Sequence, residues 1–256
     1  MDLFGNWNFS QEFSDGVPFE HTIIENFLKD PIPMPDPSDS WHLYCSPIEN
    51  KILTNNLTNY PEWKRIVDAM QGPEFVSKIA AITGIENLEA DPYLHGAGLH
   101  ASTRNGKLDV HLDYAIHPIS KKERRVNIIL YMNEFWDEAW GGALEFWDQT
   151  RSRCEVKITP KWNTAVVFKT SDLSYHGHPR PMQCPEGTWR KSLAVYYVSD
   201  PRQIENPRLK AEFFPSPSQI VDPRLAKLYS IRKTRIINSS DLQDWPDWQS
   251  EGNGWW

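Results

Sequence analysis

Between residues 108 and 199 the chain is cut into short runs rich in β-branched and aromatic residues, each bounded by turn formers. The runs are 108–114, 126–133, 143–148, 153–159, 164–169 and 190–199. Several short strands with turn signals between them describe a sandwich or a barrel. Ahead of them, 61–70 and 73–83 read as helices, because each opens on a proline and Gly84 stops the second. Phe75, Val76, Ile79, Ala80 and Ile82 have helical spacing, which predicts a face packed on a sheet. The expected class is mainly β with flanking helices, an α+β domain.

These strands also carry chemistry. Side chains two apart on a strand point to the same face. His111 and Asp113 therefore aim an imidazole and a carboxylate at one point. A second histidine from a distant strand would complete two histidines and one carboxylate on one side of a metal. The other side would stay open, which suits non-haem Fe(II) and O2. His176 and His178 are both candidates, since they too are two apart. Arg190 and Ser192 again share a face. A guanidinium fork beside a hydroxyl is shaped to hold a carboxylate.

The order His111-Leu112-Asp113, a distant histidine, then Arg190-Lys191-Ser192 resembles the 2-oxoglutarate- and Fe(II)-dependent oxygenases. Within them it is most similar to the prolyl-4-hydroxylase-like branch. Supporting stretches are RVNIILYMN at 125–133, WGGALEF at 140–146 and SYHGHP at 174–179. The resemblance covers residues 18–200 and implies a double-stranded β-helix, a cupin-like jelly roll with a concave mouth. It selects His176 as the second histidine through its Ser-x-His-Gly setting.

The resemblance then implies Fe(II) held by His111, Asp113 and His176. It implies 2-oxoglutarate chelating the iron at one end and pairing with Arg190, helped by Ser192, at the other. Tyr131 is a candidate to donate its hydroxyl to that carboxylate, and Asn127, on the same strand face, joins the cosubstrate group. O2 is the oxidant and ascorbate a candidate reductant. His178, His100 and Arg104 are candidate substrate contacts. The expected activity is hydroxylation of a C–H bond in a small molecule or a protein side chain, with succinate and CO2 as coproducts. Asp113 argues against halogenation, because the related halogenases lack this carboxylate. The alternative is a cupin-like metal isomerase or sugar-binding module, which has no need of Arg190 and Ser192.

Around this core, 18–28 is expected to be a strand entering the fold, and 41–53 holds another. Four prolines between them, in 30–40, interrupt any helix. Asn105-Gly106 is a hairpin signal. The basic stretch 115–125 is expected to be a mobile loop, and 1–17 a loosely ordered lead-in. The division expected is a lead-in to residue 17, an oxygenase domain over 18–200 and a C-terminal extension over 201–256. The extension holds a short basic helix within 220–233. Its end carries Trp245, Trp248, Trp255 and Trp256, as a partner-binding tail or a strap across the domain.

Composition bounds the rest. With 256 residues and 39% hydrophobic content, one sizeable core is affordable. A net charge of −7 argues against general nucleic-acid or anionic-membrane binding. The three cysteines, Cys45, Cys154 and Cys184, form neither a CxxC pair nor an even disulfide framework, which favours a reducing compartment. No basic apolar leader opens the chain, and no apolar run approaches the ~18 residues of a membrane helix. The expected location is cytoplasmic. Nothing in the sequence bears on oligomeric state.

Overall fold

Alternation along one strand decides how the layers stack. In the strand Glu123–Tyr131, Val126, Ile128 and Leu130 are fully buried in the main apolar core. Asn127, Ile129 and Tyr131, on its other face, line a cavity. The computed structural model describes residues 3–202, 208–219 and 222–245. Its early strands are β1 Asn8–Phe9, β2 His21–Glu25, β3 His42–Cys45, β4 Glu49–Thr54, β5 Glu89–Ala90, β6 Gly98–Ser102 and β7 Lys107–Leu112. Then come β8 Glu123–Tyr131, β9 Leu144–Trp147, β10 Cys154–Ile158, β11 Thr164–Lys169, β12 His176–His178, β13 Arg190–Ser199 and β14 Glu212–Phe213. The α-helices are α1 Pro61–Gln71, α2 Pro73–Thr83 and α3 Pro223–Arg232.

The central sheet runs β1-β2-β11-β8-β13-β6-β4-β7-β12-β9-β10. Neighbours are antiparallel, as in β8 on β11 and on β13. Strands β8 and β13 from one half, and β7 and β12 from the other, line a single cavity, so the sheet curls over on itself. The result is the jelly roll, a double-stranded β-helix. Helices α1 and α2 cover the outer face through Trp63, Ile66, Met70, Phe75 and Ile79, which join the apolar core of β8 and β13. Burying one such side chain contributes about 1.5–3 kcal/mol. Pro61 and Pro73 start the two helices, and Gly84, at φ 65, ends α2 in the left-handed region.

The Asn105-Gly106 turn forms, with Asn105 at φ 63, but β6 and β7 do not make a hairpin. Strand β4 pairs with β7 through Glu49 and Asn50, then with β6 through Ile52, Leu53 and Thr54. A turn dipeptide sets local dihedrals; it does not choose the partner strand. The stretch expected to be a mobile loop is pinned instead. His117 is fully buried, its Nε2 lies 3.2 Å from Asp91 Oδ1, and the amides of Ile119 and Ser120 donate to its Nδ1. The lead-in is likewise docked: Trp7 stacks on Phe27 at 5.1 Å and Phe4 packs on Phe75 at 4.4 Å. Its aromatic side chains outweigh the polar residues between them.

The described part of 208–245 packs on the jelly roll as a strap. Phe213, Leu225, Leu228, Tyr229, Ile237 and Leu242 form one apolar cluster with Ile48. Trp245 joins its edge, whereas Trp248, Trp255 and Trp256 lie outside the described residues. No described helix is long and apolar enough to cross a membrane.

Candidate metal centre

The site starts from one close approach of backbone. Strand β12 sits on β7 with His176 opposite His111. Gly177 permits this, because a Cβ there would meet the carbonyl oxygens of Leu108 and Asp109 at 2.7 and 2.8 Å. The two imidazoles consequently lie with ring centroids 4.2 Å apart. Asp113, one residue past the end of β7, completes the group. Its Oδ1 is 3.8 Å from His111 Nε2 and its Oδ2 is 3.9 Å from His176 Nε2. The three candidate ligand atoms all fall within 4.8 Å of one another, and all three residues are buried.

The histidines are oriented by backbone. His111 Nδ1 lies 3.0 Å from the Asp109 carbonyl, and His176 Nδ1 lies 2.8 Å from the Ser174 carbonyl. An Nδ1–H donated to a carbonyl leaves the Nε2 lone pair for a metal. Burial pushes the pKa of both rings down, so they stand neutral. For Asp113, burial acts upward, but the surrounding basic side chains, with Arg124 and Lys51 the standing cations among them, hold the carboxylate low. Two neutral imidazoles and one carboxylate, with a cavity before them, fit Fe(II).

Asn127, expected in the cosubstrate group, lines the cavity beside Asp113. Its Nδ2 donates to Asp113 Oδ2 at 3.3 Å, while its buried Oδ1 is left without a hydrogen-bond partner. Arg124 went unrecognised in the sequence. It is buried between the rings of Tyr114 and Tyr196, 3.5 and 3.2 Å from their centroids, with Nη1 3.7 Å from Asp113 Oδ1. It thus backs the carboxylate with a fixed positive charge. The strap adds more support. Phe213 stacks on His111 at 5.1 Å, and Arg208 Nε donates to the Asp113 carbonyl at 3.1 Å. Asp109, whose carbonyl faces His111, accepts from Gln219 and Tyr229 through its carboxylate.

Across the cavity, Arg190 is buried at the start of β13. Its Nε donates to the Gly142 carbonyl at 2.6 Å and its Nη2 to the Tyr131 hydroxyl at 3.0 Å. Gly142 is at φ 73 and must be glycine. A Cβ there would meet Met182 Sδ at 2.5 Å and Arg190 Cδ at 3.2 Å. No carboxylate among the described residues pairs with Arg190. Ser192 is buried beside it and lines the same cavity.

His100 and His178 also line the cavity, from β6 and β12. Burial, with Lys51 and Arg190 nearby, lowers the pKa of His100 to about 3, and His178 is pushed well down by burial and the same two cations. Their buried Nε2 and Nδ1, respectively, have no hydrogen-bond partner. Buried polar atoms without partners are rare, and a polar ligand in the cavity would satisfy them. Arg104 does not reach this cavity. It is exposed and donates to Cys184 O at 3.3 Å, because the Asn105-Gly106 turn carries it outward.

The cavity holds about 480 Å³. A family model for the 2OG-Fe(II) oxygenase superfamily matches residues 97–198. Prolyl 3-hydroxylase OGFOD1 of Xenopus laevis is 26% identical over 41% of this chain and 22% of that protein. The chain thus aligns with about a fifth of that relative's length. A Pseudomonas putida prolyl-4-hydroxylase is 19% identical, with 64% of this chain and 79% of that one covered at a TM-score of 0.45. A Trichoplax adhaerens prolyl hydroxylase, solved with a hypoxia inducible factor peptide fragment, is 14% identical over 63% and 71% of the two chains at 0.46. The matched span runs through β6 to β13 and contains His111, Asp113, His176 and Arg190. Over residues 97–198 the chain is thus similar to the 2OG-Fe(II) oxygenase superfamily.

Proposed function

We propose that this chain is an Fe(II)- and 2-oxoglutarate-dependent dioxygenase that hydroxylates a C–H bond of a small molecule or a protein side chain. One observation carries the reading. Two imidazoles and a carboxylate converge on one side of a cavity whose other side presents a buried guanidinium with no acid partner. A dicarboxylic cosubstrate spans such a site. His111 and His176 hold the metal through Nε2, and Asp113 supplies the negative charge. Arg190 takes the distal carboxylate of 2-oxoglutarate as a two-pronged pair, with Tyr131 and Ser192 as hydroxyl partners. Iron, 2-oxoglutarate and O2, when bound, supply the oxidising power, with succinate and CO2 as products. Asn127 and Arg124 fix the orientation and charge of Asp113.

The prolyl 3-hydroxylase relative supports a prolyl side chain as substrate, and a cavity of about 480 Å³ equally admits a small molecule. The cupin-like alternative is not favoured, since a plain metal barrel does not require a buried arginine opposite its metal. The test is succinate formation from 2-oxoglutarate with Fe(II) and ascorbate. Wild-type protein should form succinate, faster with a true substrate. A rate no higher than that of Asp113→Ala would overturn the assignment.

A further inference from the structure

The cavity walls carry Lys51, Arg124, Arg190, Lys210 and Arg232, against one lining carboxylate among the described residues, Asp113. Most of these charges have a function in place. Arg124 backs Asp113, and Arg232 pairs with Glu49 at 2.5 Å. Arg190 is assigned to the cosubstrate, and Lys210 is exposed at the rim. Lys51 is the remainder. It stands on β4, outside the matched 97–198 span. Its ammonium makes no hydrogen bond or ion pair to any described residue, and its nearest specific contact is the Tyr44 ring, with Nζ 5.3 Å from the centroid.

Charge bookkeeping with the cosubstrate in place sharpens the point. The two positive charges of Fe(II) and those of Arg190 and Arg124 face two carboxylates of 2-oxoglutarate and one of Asp113, while Arg232 is matched by Glu49. Nothing is left over for Lys51. A largely buried ammonium that no carboxylate contacts is costly, and burial lowers its pKa against the opposing pull of Glu49, which pairs with Arg232, and of Asp113. A ligand bringing one more negative charge removes that cost. The same cavity is lined by Tyr44 on β3, whose ring lies nearest Lys51, and by Leu209 and Ile236 from the strap, the last two exposed apolar side chains.

We propose that Lys51 is a specificity-determining residue: it holds a carboxylate on the prime substrate, whose apolar portion lies against Tyr44, Leu209 and Ile236. The inference rests on the dioxygenase reading and deepens it. The substrate is an organic acid, either free or presented as an acidic side chain or chain terminus on a peptide.

The experiment uses full-length protein loaded with Mn(II) and 2-oxoglutarate, titrated calorimetrically with matched pairs. One arm compares free amino acids and hydrophobic carboxylic acids with their carboxamides. The other compares short peptides bearing Asp, Glu or a free C-terminus with their Asn, Gln and amidated counterparts. In at least one arm the acid should bind at least tenfold more tightly than its amide, and that arm names the source of the carboxylate. Lys51→Met should remove the preference while 2-oxoglutarate still binds. Three results would overturn the proposal: no acid binds to protein that does bind 2-oxoglutarate, acid and amide bind alike, or Lys51→Met keeps the preference. If Lys51→Met instead loses 2-oxoglutarate, Lys51 belongs to the cosubstrate and the proposal fails. Absence of 2-oxoglutarate binding in wild type is distinct: it would overturn the dioxygenase reading, and this proposal with it.

Discussion

The metal-facing groups of the cavity and the cationic groups opposite them differ in how completely the protein satisfies them. On the β7–β12 side, each metal-facing histidine already has a backbone carbonyl at its Nδ1, and Asp113 has Asn127 and Arg124 beside it. On the β4–β6–β13 side, among the described residues, Arg190 has no acid, Lys51 has no ion pair, and His100 Nε2 is a buried orphan. The first side is preorganised to hold a cation at fixed points. The second waits for anions that the chain does not supply. A stable fold tolerates such unpaired groups only where a ligand repays them.

The sharpest way to break this contrast is to exchange the two histidines of β12. His176→Ala should abolish tight Mn(II) binding, as should His111→Ala or Asp113→Ala, because a three-ligand site has no spare member. His178→Ala should retain the metal and lower turnover. Metal content per chain measured after dialysis decides it; a loss confined to the His178 variant would exchange the two roles. Next in size is the strap. Phe213→Ala should cost about 3–5 kcal/mol of stability, as Phe→Ala changes in packed cores do. Thermal unfolding of the metal-free protein would show it, and an unchanged midpoint would mean that the strap does not support β7.

A smaller effect sharpens the anion side. Tyr131→Phe removes one hydroxyl near Arg190, worth about 0.5–1.5 kcal/mol net, so 2-oxoglutarate affinity should fall by less than about tenfold. A complete loss would make Tyr131 the principal anchor. The least effect per group concerns pH. Burial keeps His100, His111, His176 and His178 below the ordinary histidine value, His100 at about 3. The unfolded chain takes up these protons below about 6.5, so the stability they contribute is present above that value and is lost as pH falls toward 3. Each can contribute up to ~1.4 kcal/mol per pH unit in that window. The melting temperature of metal-free protein should therefore drop from pH 7 to pH 5, and His100→Gln should flatten the slope. A flat profile in wild type would contradict neutral burial.

Much of the site was legible because the chemistry lies on regular strands. Period-two alternation put His111 with Asp113 and Asn127 with Tyr131, and the structure brings all four to one cavity. Proline starts and a glycine stop marked α1 and α2 to within a residue. What stayed hidden depends on pairing between distant segments. Arg124 stands in a run of basic residues, and only the folded chain shows it clamped between Tyr114 and Tyr196. Lys51 has no local signature, and it reaches the cavity because β4 lies beside both β6 and β7. Phe213 is two residues from Pro215 in a segment without periodicity, yet it pairs with His111. Arg104 was misplaced for the converse reason. Its neighbouring turn was read correctly, but the direction in which that turn projects is set by β4.

The most direct test of the central claim is calorimetric titration of Mn(II)-loaded protein with 2-oxoglutarate, under anaerobic conditions. The dioxygenase account predicts saturable one-to-one binding. A charge-assisted pair contributes about 1.5–3 kcal/mol, so Arg190→Ala should bind at least about tenfold more weakly. Its Mn(II) affinity should be unchanged. Arg190→Lys should recover only part of the loss, because an ammonium cannot reproduce the fork. Equal affinity in wild type and Arg190→Ala would move the anchor elsewhere. No detectable 2-oxoglutarate binding by metal-loaded wild-type protein would contradict the account and favour the cupin-like barrel.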